Sequence, residues 1–84
     1  MGAIEEYEAM RTAIQSNIEA IRSLLTEAKS LNDLVDNISD NTELKEQLEQ
    51  HLQSLHKSID NLVEQTNALF EQYIKLANSV VTVS

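Results

Sequence analysis

From Ala3 to Ile38 the apolar residues recur on a heptad frame. Tyr7, Ile14, Ile21, Ala28 and Val35 hold the a position, while Ala3, Met10, Leu24, Leu31 and Ile38 hold d, a series that Asn17 alone interrupts. The frame restarts after Thr42. Leu52, Ile59, Thr66, Tyr73 and Val80 now hold a, and Leu48, Leu55, Leu62, Leu69 and Leu76, followed by Val83, hold d. Thr66 is the polar interruption of that second seam. A sustained heptad keeps one stripe of a helix turned toward a partner helix, so both segments predict coiled-coil packing.

Between the frames lies NISDNTE, Asn37 to Glu43, where short polar side chains compete for backbone hydrogen bonds and favour caps and turns. Asp40 with Glu43 has the spacing of a capping box and predicts the start of the second helix. The chain holds no proline, and its single glycine is Gly2, so nothing inside it breaks a helix by backbone constraint alone. The reading is one unit over residues 1–84: a first helix over about 3–38, a turn over about 39–42 and a second helix over about 43–80. The β-branched tail VVTVS is expected to fray.

A short turn makes its two helices antiparallel neighbours, and in such a pair a faces d. With Val35 set against Leu48, the register brings Leu31 to Leu52, Ala28 to Leu55, Leu24 to Ile59 and Ile21 to Leu62. Further out, Ile14 meets Leu69, Met10 meets Tyr73, Tyr7 meets Leu76 and Ala3 meets Val80. The two polar interruptions, Asn17 and Thr66, fall in the same layer. A shared polar layer fixes register when its groups satisfy each other, so Asn17 and Thr66 are expected to be the register-setting pair.

A lone two-helix hairpin buries one stripe per helix, which makes a second apolar stripe informative. The e positions carry Ile4, Ile18 and Leu25 on the first helix and Val63, Phe70 and Ala77 on the second, and Ile74 and Val81 widen the same side. The opposite g side is mainly polar, with Glu6, Glu27, His51, Ser58, Gln65, Gln72 and Ser79, against Ala13, Ala20, Leu34 and Leu44. Ile4, Ile18, Leu25, Val63, Phe70, Ile74 and Ala77 are therefore the expected partner interface. The fold expected is all-α: an antiparallel two-helix coiled-coil hairpin that dimerises into a four-helix bundle, with a second copy or another helical protein as partner.

Composition narrows the functional classes. An 84-residue chain has a thin core and commonly needs disulfides, a metal or association, and this one has no cysteine. The missing cysteine fits a reducing compartment, and the expected location is cytoplasmic, with export by a non-classical route left open. No apolar run approaches the roughly 18 to 20 residues that span a bilayer, and the first residues lack a basic start followed by an apolar block, so no membrane partner is expected. Met1-Gly2 opens like a myristoylation motif, but the sixth residue is Glu6 where Ser or Thr is required. The net charge of −8 disfavours phosphate backbones, and no basic region precedes the leucine repeat, so no nucleic acid is expected either.

Candidate chemistry is sparse. His51 and His56 are not spaced to share a helical face as metal ligands, and His56 with Asp60 at i, i+4 reads as a surface pair. Ser54, His51 and Glu49 assemble a triad on paper only, because a straight helix provides neither an oxyanion hole nor a cleft. No Glu stands three residues before either His, as a di-iron bundle would need. Glu5, Glu6 and Glu8 sit where the helix dipole favours negative charge. No enzymatic activity, cofactor, metal or small-molecule substrate is expected.

A helical hairpin of this length that pairs into a four-helix bundle resembles the small WXG100 proteins of type VII secretion, and also the short helical export chaperones of other secretion systems. The resemblance covers the whole chain as architecture. A WXG100 protein carries Trp-x-Gly at its turn, where this chain has SDNTE and no tryptophan, and Ala77 stands where an export signal built on Tyr73 would need an acidic residue. No functional residue carries over. Three functions follow as expectations, in this order: a non-catalytic interaction module that acts through helix packing, a small secretion partner or chaperone, and a compact acidic inhibitor of the phage or mobile-element type.

Overall fold

The computed structural model describes residues 2 to 83, with side chains to Val81. Met1 and Ser84 lie outside the described residues, as does the side chain of Val83, the last d residue of the predicted frame. Two helices, α1 over Ala3–Asn37 and α2 over Thr42–Val83, pack against each other as a hairpin. The hairpin measures 65 × 17 × 14 Å, with a radius of gyration of 18.8 Å. A compact domain of this length would have one of about 12 Å. The molecule is thus a rod one helix pair thick, and its interior can only be the seam between the helices.

The heptad residues form that seam. Every a and d residue from Tyr7 to Ile38 and from Leu48 to Val80 is buried or half-buried; apart from them only Ala13 and Ala77 are covered to that degree among the described residues. Ala28, Leu55 and Ile59 make the tightest cluster, with Leu24, Leu31 and Leu52 packed around it. Those six residues are three successive layers of the predicted antiparallel register. A small residue at Ala28 lets two larger ones close over it, which is the alternation of sizes that fills a seam without voids.

The termini of the helices depart from the sequence reading in three places. The first helix ends at Asn37, and Ile38 is extended (φ −87, ψ 118), its N–H donating to the carbonyl of Val35 at 3.2 Å. The chain turns with no positive φ among the described residues, so the lack of a glycine there costs nothing.

Asn41, not Asp40, caps α2: its Oδ1 accepts the N–H of Leu44 at 3.0 Å and its backbone carbonyl accepts the N–H of Lys45 at 3.0 Å. The box of Asp40 and Glu43 does not form, because the helix begins at Thr42, one residue beyond where an Asp40 cap would start it, and Leu44 takes the capped position. Finally, α2 continues to Val83 where fraying was expected from about residue 80. Val80 is half-buried as a seam residue and, with Val81, borders the same hollow as Ile4 and Tyr7.

Candidate interaction surface

The surface begins where the seam ends. Nine large hydrophobic side chains are exposed among the described residues, whereas the buried hydrophobics are Ile14, Ala28, Val35, Leu55 and Ile59. Seven of the nine, Ile4, Ile18, Leu25, Val63, Phe70, Ile74 and Val81, occupy the e and b positions along one side of the hairpin. Ala77, half-buried, completes the stripe. The other two, Leu34 and Leu44, lie on the g side at the turn. The structure therefore leaves the predicted interface residues uncovered in the single chain.

Surface area supports the same point. The chain exposes 6473 Å². A compact monomer of its mass would expose about 5,000 Å². The excess is the direct cost of a fold that is one seam wide. Exposed apolar side chains singly placed mean little, but a continuous row on one side of a rod is the pattern of a contact surface.

Two shallow hollows punctuate the stripe. At the open end Ile4, Tyr7, Glu8, Ala77, Val80 and Val81 surround about 290 Å³. Nearer the middle Leu25, His56, Ile59 and Asp60 surround another of about 290 Å³. His56 and Asp60 share that hollow without forming the ion pair that their spacing suggested. The histidine contact that does form is on the other side: His51 Nε2 lies 3.8 Å from Glu27 Oε1 between two well-exposed g residues, a geometry that contributes little to stability.

The polar layer works differently from the reading of the sequence. Thr66 is buried, at 9% exposure, and its hydroxyl donates to the carbonyl of Leu62 in its own helix at 2.6 Å. Asn17 is half-buried and its side chain makes no hydrogen bond among the described residues. The mutual satisfaction expected of the pair is therefore absent. The reason is local: on a helix the carbonyl one turn back lies within reach of a threonine hydroxyl, and Thr26 bonds Arg22 in the same way at 3.0 Å. Among the described residues no fully buried side-chain polar atom is left without a partner.

An aromatic row that the heptad frame did not anticipate lies toward the open end. The rings of Tyr7 and Tyr73 stack at 4.7 Å between centroids, and the Tyr73 hydroxyl donates to that of Tyr7 at 2.6 Å. Phe70 continues the row at 6.0 Å from Tyr73. The frame had set Tyr7 against Leu76 and Met10 against Tyr73. Long aromatic side chains reach diagonally into the next layer, so the two tyrosines meet each other. The hydrogen bond to Tyr7, followed by partial burial, raises the Tyr73 phenol above its ordinary value, because ionisation would remove the donor. Tyrosines at a positions of opposite helices were the available signal for this contact.

Among the described residues no group of three or more His, Cys, Asp or Glu side chains comes together as a metal site, and no helix is long and apolar enough to cross a membrane. No family model, curated protein or solved structure matches the chain.

Proposed function

We propose that the chain is a non-catalytic protein-interaction module whose activity is helix packing. It associates with a second copy of itself through the Ile4, Ile18, Leu25, Val63, Phe70, Ile74 and Ala77 side to complete a four-helix bundle. The observation that carries this reading is the one-sided stripe: among the described residues seven large hydrophobic side chains stand exposed along one side of the hairpin, outside the seam. A second copy is the simplest cover, since closed two-fold pairing satisfies the same patch on both molecules.

The test is the mass in solution together with thermal unfolding across a dilution series. Association requires about twice the 9.5 kDa of one chain. It also requires a melting temperature that falls on dilution, because unfolding then includes dissociation. A stable monomer with a melting temperature constant over a hundredfold dilution overturns self-association. A monomer that captures a helical client would instead favour the secretion-partner reading, and binding that collapses with salt would favour the acidic inhibitor.

A further inference from the structure

We infer that two copies pair antiparallel and staggered, open end over open end, so that their turns project from opposite poles of one long rod. This rests on the self-association proposed above and specifies its geometry. The first observation is where the stripe stops. Its residues cover Ile4 to Leu25 on α1 and Val63 to Val81 on α2, about 30 Å of a 65 Å rod. Toward the turn the same side becomes polar, with Asn32 on α1, Ser39 in the turn, and Glu49 and Gln53 on α2, all exposed.

The second observation is charge. Between residues 33 and 49 the exposed acids are Asp33, Asp36, Asp40, Glu43, Glu46 and Glu49, against Lys45 alone. Six negative charges and one positive give −5 of the chain's −8 at one end of the rod.

Two face-to-face pairings bury the apolar stripe. Pairing turn beside turn also presses the polar third of each hairpin onto the other and brings two clusters of like charge within a Debye length, which is unfavourable on both counts. Staggering the copies keeps the turn clusters and the polar thirds apart, leaves only the remaining −3 of each chain in the overlapping halves, and loses no apolar contact. Rotated about a two-fold axis near the Phe70 level, Phe70 of one copy meets Phe70 of the other, Ile4 meets Leu25 and Val63 meets Ala77. Arg11 comes beside Ile18, where its aliphatic stem can pack while the guanidinium stays wet. The overlap is about 40 Å by 17 Å, or about 700 Å² in projection. A standard stable interface buries roughly 600 to 1,000 Å² per partner, so the staggered overlap falls within that range.

A single nitroxide label on Ser30→Cys reads the arrangement, because the chain has no other cysteine and Ser30 is exposed away from the stripe. The staggered dimer places the two labels about 45 Å apart and gives a particle about 90 Å long by small-angle scattering. A turn-beside-turn dimer places them within about 25 Å in a particle no longer than one hairpin. Short label distances in a particle of dimer mass overturn the stagger and leave self-association standing. A monomer by mass overturns both. Charge supplies an independent check: Glu46→Gln with Glu49→Gln is expected to change the dimer dissociation constant less than about threefold, since the clusters lie far beyond screening range of each other. A tightening of tenfold or more overturns the arrangement.

Discussion

Replacing Ile18 with Glu is the sharpest perturbation of the proposed interface, because Ile18 lies mid-stripe and takes no part in the seam. It is 43% exposed in the single chain. Full burial of such a side chain stabilises by roughly 1.5 to 3 kcal/mol, so covering the exposed share contributes about 1 kcal/mol per copy and about 2 kcal/mol per dimer. The carboxylate adds a larger effect, since a charge held away from water costs several kcal/mol, and the guanidinium of Arg11 from the other copy stays in water, where an exposed pair returns at most about 1 kcal/mol. A total of about 5 kcal/mol weakens the dimer by more than about a thousandfold. The hairpin itself should survive, because the seam residues are untouched, and circular dichroism should stay helical at high concentration. Sedimentation equilibrium should then report a monomer for Ile18→Glu. Gln65→Glu, on the polar side, should leave the native mass in place. If both variants keep the same mass as the parent chain, the apolar stripe is not what holds the copies together, and the reasoning from exposure to function fails.

Asn17→Leu should raise the melting temperature, since it adds apolar contact and helix propensity at a site whose side chain makes no hydrogen bond, by roughly 1 kcal/mol. In a double-mutant cycle of Asn17→Ala and Thr66→Ala, the two effects should add within about 0.5 kcal/mol; a coupling well above 1 kcal/mol would restore the polar pair as the register device. Asn41→Ala should destabilise by about 1 kcal/mol through loss of the Leu44 cap, whereas Asp40→Ala should have little effect; the reverse order in urea titrations would return the cap to Asp40. Tyr73 should ionise above the ordinary tyrosine value of 10.0 in the native chain and return toward it in Tyr7→Phe, read from phenolate absorbance in a protein with two tyrosines and no tryptophan. The raised phenol makes the folded state hold its proton longer than the unfolded one, so its contribution is full below the unfolded value near 10 and is lost as pH rises through the folded value. A titration of Tyr73 unchanged by Tyr7→Phe would show that the short hydroxyl contact does not persist in solution.

The seam was legible in the sequence because a heptad is a statement about direction. Each of the twenty a and d residues from Tyr7 to Ile38 and from Leu48 to Val80 points at the neighbouring helix as its position requires, and even Asn17 and Thr66 are drawn in with the rest. The exposed stripe followed from the same geometry, since the e side of an antiparallel pair is fixed once the seam is. What the pattern could not supply was the destination of particular atoms. Asp40 and Asn41 are adjacent and equally suited to cap a helix, and only the phase of the first turn distinguishes them. Thr66 had two acceptors to choose from, the side chain across the seam and the carbonyl one turn back, and the local one requires no ordering of a second side chain. The tyrosine pair depends on side-chain reach, which positional letters do not encode.

Without a hydrogen bond between Asn17 and Thr66, polarity no longer selects the layers. Shape takes over that role: Ala28 admits Leu55 and Ile59 at one end of the seam, and the Tyr7–Tyr73 stack closes it at the other. Sliding one helix by a heptad would leave Ala28 facing another leucine, Leu48 or Leu62, but would separate the tyrosines, so the aromatic stack distinguishes the registers more sharply than Ala28 does. The stacked tyrosines lead directly into Phe70, which lies 6.0 Å from Tyr73 and is 48% exposed. The same aromatic row that fixes the hairpin's open end therefore presents Phe70 to the surface in a defined place, so the internal register and the proposed two-fold contact are positioned by one set of rings.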